Sequence, residues 1–177
     1  MDKGHRVMTT NAAAEEFLGS VSGNLSPVIG EFDFVVEKFQ ELALRSFVVF
    51  LVIGNFKIKI LSQRDHLEYR LGPLAAPNEV EDKVNGVRMW FFPETIRDFL
   101  RGRAPVCENE VFGKPGLDGP EDSLAEFAQT VSSMLVDLQD LLGPKSFGSK
   151  RGELDAYELE RSAQISEISR RRYLHTS

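Results

Sequence analysis

The stretch Phe47–Ile53 is seven apolar residues without interruption, β-branched or aromatic at six of the seven positions. A run of that composition and length suits a strand covered on both faces. Gly54-Asn55 follows, a two-residue hairpin signal. Phe56, Ile58 and Ile60 then alternate with Lys57 and Lys59, which predicts a second strand with one buried and one wet face. After a turn near residues 63–65, Leu67, Tyr69 and Leu71 alternate with His66, Glu68 and Arg70, and Gly72-Pro73 ends the segment. The pattern predicts a three-stranded antiparallel meander, and any fold for this chain must be built around it.

Residues 1–11 read as a loose terminus, and Ala12–Val21 as a helix with Asn11 at its N-cap. Gly23, Asn24 and Ser26-Pro27 then break regularity. Residues 31–44 carry both a helical and a strand periodicity, and the expectation is a short helix followed by a strand. Residues 75–85 read as an acidic loop and Gly86–Phe92 as a further strand. Pro93 opens a helix closed by Gly102. Residues 102–119 form a long connection. A helix from Pro120 to Gly143 carries Leu124, Phe127, Val131, Met134, Leu138 and Leu141 at spacings of three and four. Residues 145–150 read as a hinge, and Glu153–Tyr173 as a weakly amphipathic helix in which Glu167 can pair with Arg170 and Arg171.

The expected fold class is therefore α+β: an antiparallel sheet of about four strands with helices packed against it, plus a C-terminal helical extension. The expected organisation is a terminus at 1–11, one domain at 12–144, and a hinge and charged helix at 145–177. A chain of 177 residues has room for one domain with a substantial core.

Charge and cysteine usage narrow the function classes. The single cysteine, Cys107, excludes an internal disulfide. The polar Met1–Thr10 has no apolar signal-peptide core, and no apolar run approaches the ~20 residues of a membrane span. A reducing, cytoplasmic location without membrane insertion is expected. Net charge is −6. Seven basic and five acidic side chains leave residues 145–177 at +2 and residues 1–144 at −8. An acidic body repels phosphate backbones, so nucleic acid is an unfavoured partner, and it can steer a basic protein partner.

No catalytic constellation is written in the chain. His5 and His175 lie in terminal segments. His66 neighbours Asp65, but successive strand residues point to opposite faces. Cys107 has Glu108 close by, which disfavours a thiolate. No Cys/His set has zinc spacing, residues 116–122 lack the spacing of a calcium loop, and no phosphate-binding glycine loop occurs. Arg170-Arg171-Arg172 is a basic cluster suited to a helix C-terminus. No metal, cofactor or catalytic residue is expected. The surface acids Glu79, Glu81, Asp82, Glu108 and Glu110 are the candidate partner-binding residues.

The order of elements, with Met89-Trp90-Phe91-Phe92 leading into Pro93–Leu100 and a long helix ending in residues 137–142, is similar to small bacterial α+β proteins of the toxin-immunity type. The resemblance spans about residues 25–142 and is one of pattern, so it transfers no functional residue. It implies a non-catalytic protein-binding role, an immunity or antitoxin-like inhibitor of a basic partner. The alternatives are a structural subunit self-associating through residues 153–173 and an enzyme using dispersed carboxylates.

Overall fold

The computed structural model describes residues 4–29, 34–43, 46–63, 66–105 and 120–175. Helix α1 spans Gly4–Ile29 and is followed by strands β1 (Phe34–Ala43), β2 (Ser46–Ile53), β3 (Phe56–Gln63) and β4 (His66–Pro73). Two short strands, β5 (Lys83–Val84) and β6 (Val87–Arg88), precede α2 (Pro93–Leu100), α3 (Pro120–Ser133), α4 (Leu135–Leu141) and α5 (Phe147–His175). The main sheet is antiparallel in the order β1-β2-β3-β4, and β5-β6 form a separate ribbon.

The predicted meander is present. Gly54-Asn55 turns the chain so that Ile53 faces Phe56 and Val49 faces Ile60. Ile60 then faces Tyr69 and Ile58 faces Leu71. Val49, Leu51, Ile53, Phe56, Ile58, Ile60 and Leu71 form one core with Val21 and Leu25 of α1 and with Leu124, Phe127, Val131 and Leu138 of α3 and α4. The Tyr69 and Phe127 rings stack at 4.1 Å between centroids, binding sheet to helix.

The fourth strand of the sheet is β1, not the segment after Gly86. Residues 34–43 pair with β2 throughout, so backbone pairing and the Phe39–Phe47 stack, 5.5 Å apart, override their helical periodicity. Of the expected strand Gly86–Phe92, residues 87–88 belong to the ribbon, turned by Asn85 and Gly86 at positive φ, and Phe91 makes one bridge to Leu71. Asn-Gly with both φ values positive is the twist-matched hairpin turn.

Three helix boundaries also differ from the sequence expectation. Helix α1 begins at Gly4 and continues through Gly23, because burial of Val21 and Leu25 against the core outweighs the propensity cost of its glycines. The helix expected over 120–142 divides at Met134, whose φ of −131° ends α3 and starts α4. Helix α5 begins at Phe147 rather than after a hinge, since the Phe147 ring is buried edge-on against Phe91.

The second face of the sheet corrects another expectation. Lys57 and Lys59, predicted to face water, are 6% and 3% exposed. Residues 74–88 cross that face as a strap, and Val48, Phe50, Ala76 and Trp90 make a second core beneath it. Alternation shows that a strand has two kinds of face, but not what the chain later lays over the polar one.

Candidate functional site

The strap is held from below by cations of the sheet. Lys57 Nζ donates to Ala76 O at 3.0 Å and Asn78 Oδ1 at 3.2 Å, and pairs with Glu37 at 2.6 Å. That bond to Lys57 holds the Glu37 carboxyl below its ordinary value. Lys38 Nζ reaches Asn78 O at 3.0 Å from the edge strand. Lys59 Nζ donates to Val80 O at 2.7 Å and pairs with Asp82 Oδ1 at 2.6 Å. Burial pushes the Lys59 ammonium below its ordinary value, with Asp82 opposing. Long cationic stems lying on apolar surface, with heads that reach polar atoms, are how such residues enter a protein interior.

Cross-strand register explains the position of Asp82. Lys59 stands directly opposite Arg70, and like charges so placed repel. The Asp82 carboxylate bridges them, with Oδ1 on Lys59 and Oδ2 accepting from Arg70 Nε at 3.0 Å. Arg70 also donates to Glu68 and lies 3.5 Å over the Phe92 ring. A cleft of about 220 Å3 beside this bridge is lined by Lys59, Leu61, Glu68, Arg70, Val80 and Asp82. Its charged side chains are bonded to one another, so the cluster works as a clamp.

Above the clamp, Glu79, Val80 and Glu81 are exposed. Of the five acids singled out by sequence, the structure therefore separates three. Glu79 and Glu81 present their carboxylates outward, and Asp82 turns inward. Glu108 and Glu110 lie outside the described residues, as do Cys107 and Asp118. The Lys59–Arg70 clash was the signal that could have found the clamp: two cations opposed on paired strands require an acid from elsewhere.

A second charged cluster ties α5 to the body. Asp98 of α2 is buried and pairs with Arg161 of α5 at 2.9 Å, with Arg97 at 3.1 Å and with Arg103 at 3.7 Å. Arg88 pairs with Asp155 at 3.0 Å, and the buried Glu158 approaches Arg88 at 4.0 Å. Tyr157 donates to Arg103 O and Ala104 O, both at 3.1 Å. Farther along α5, Glu167 pairs with Arg170 and Arg171, each at 2.9 Å, as its spacing predicts. Arg172 has no described side chain.

His66 is exposed at the start of β4. Among the described residues, no group of three His, Cys, Asp or Glu side chains is placed to hold a metal ion. No helix among them is long and apolar enough to cross a membrane. Compared with models of known protein families, with curated proteins and with solved structures, the chain matches none.

Proposed function

We propose that the protein is a non-catalytic binding protein whose strap presents Glu79 and Glu81 to a basic protein partner. One observation supports this reading above others: the backbone carrying these two exposed acids is fastened from beneath, at Val80 O and through the Asp82 carboxylate, by the buried Lys59. An acidic turn held in one conformation loses little entropy on binding. Rim charges of this kind accelerate encounter with an oppositely charged partner and set its orientation. Val80, exposed between the two acids, adds apolar contact where they meet the partner.

Within this reading, the partner is a basic protein such as a secreted nuclease toxin, and the role is that of an immunity or antitoxin-like inhibitor. The acids would occupy the surface with which such an enzyme meets phosphate. Affinity capture of the tagged chain from its native host, followed by mass spectrometry, tests the reading. A stoichiometric basic protein released by raised salt is the expected result. Recovery of the chain alone, as an oligomer that disperses when residues 145–177 are deleted, would replace the reading with self-association.

A further inference from the structure

Glu158 sits on the inner face of α5, one turn beyond the fully buried Leu154, and is 1% exposed. Its Oε1 lies 4.0 Å from Arg88 Nη1, while Arg88 Nε is bonded to Asp155 at 3.0 Å. Its Oε2 has no hydrogen-bond partner. The Thr95 hydroxyl of α2 neighbours the carboxyl, yet the two fall short of hydrogen-bond geometry, and Thr95 Oγ1 is itself buried without a partner. The other charges around the group are spent elsewhere. Arg161 is bonded to Asp98 and Pro105 O, Arg70 to Asp82, Glu68 and Tyr69 O, and Asp98 to three arginines.

We propose that Glu158 is a proton-operated latch: α5 docks on α2 and on the β5–β6 ribbon with this carboxyl protonated, and loss of the proton loosens the helix. A buried carboxylate without a short ion pair is costly, whereas the neutral acid carries no such penalty. The Thr95 hydroxyl, able to donate to the ionised form or to accept from the neutral acid, does not decide the protonation state; the burial of an oxygen without a partner does. Burial pushes the Glu158 carboxyl up from its ordinary value, against the Thr95 hydroxyl and the guanidinium groups of Arg88, Arg70 and Arg161. The folded state then holds the proton more tightly than the unfolded chain. The stabilisation is complete below the ordinary carboxylate range and is lost as pH rises through the folded value.

Hydrogen exchange of the full chain, read by mass spectrometry over residues 150–165 and corrected for intrinsic rates, tests the latch at about pH 5 and pH 8. Protection is expected to fall at the higher pH by up to about tenfold for each unit crossed within the window. In Glu158→Gln, a neutral isostere, protection should be the same at both. Equal protection of the wild type at the two pH values would overturn the proposal. So would a pH dependence that Glu158→Gln leaves intact. Should Glu158→Gln not fold, Glu158→Met, equally without a titrating group, takes its place in the same comparison.

Discussion

Asp82 meets two cations with its two oxygens, Lys59 at 2.6 Å and Arg70 at 3.0 Å. Removing it leaves a buried ammonium facing a buried guanidinium that keeps only Glu68 as its acid. Asp82→Ala should cost about 1–3 kcal/mol in chemical denaturation, less than a fully buried pair because the carboxylate keeps some contact with water. The double variant K59M/D82A should recover part of that loss, since removing both partners leaves no uncompensated charge. Tyr69 offers a second residue-scale check. Burial pushes its phenol up to about 12, so its neutral form supports the fold below the ordinary tyrosine range, and that support is lost as pH rises toward this value. Absorbance titration of the three tyrosines should show one late component, absent in Tyr69→Phe. In sequence, Asp82 is one acid in a run of acids. Nothing local distinguishes it from Glu79 or Glu81, because its role is fixed by a register contact with β3 and β4.

At the scale of elements, what was legible followed local period and turn chemistry. Gly54-Asn55 and the alternation after it specify the β2–β3–β4 meander, and Pro93 and Gly102 bound α2. What was not legible depended on partners distant in sequence. Strand β1 exists because β2 offers it an edge, and α1 persists through its glycines because the core covers Val21 and Leu25. The break at Met134 lets α4 cap the hairpin: Gln139 donates to Ile53 O at 3.2 Å and accepts from Asn55 N at 2.6 Å. Gly54, at a φ of +53°, lies under that amide, where a Cβ would come within 2.3 Å of Nε2. Gly54→Ala should therefore cost about 2–3 kcal/mol, from left-handed strain together with loss of the Gln139 bonds. Removing Gln139 as well should relieve the clash and leave the backbone strain, so the two substitutions will not add.

For the whole molecule, the helices cover one face of the sheet and the strap covers the other. The buried cations of the polar face fasten that cover, and Glu79 and Glu81 are exposed above it, Glu81 meeting Lys59 through its backbone carbonyl at 3.5 Å. The sequence marked all of these acids as candidates and could not sort them, since sorting needed the fold. E79K/E81K should change stability by no more than about 0.5 kcal/mol, because both side chains are exposed and the pull of Glu81 on the Lys59 ammonium is screened by water. The most direct test of the binding reading is the dissociation constant of the captured basic partner for the wild type and for E79K/E81K, measured at the same moderate salt. Reversal of both charges should weaken binding at least tenfold while thermal unfolding is unchanged. An unchanged dissociation constant would contradict the account and place the partner elsewhere on the protein.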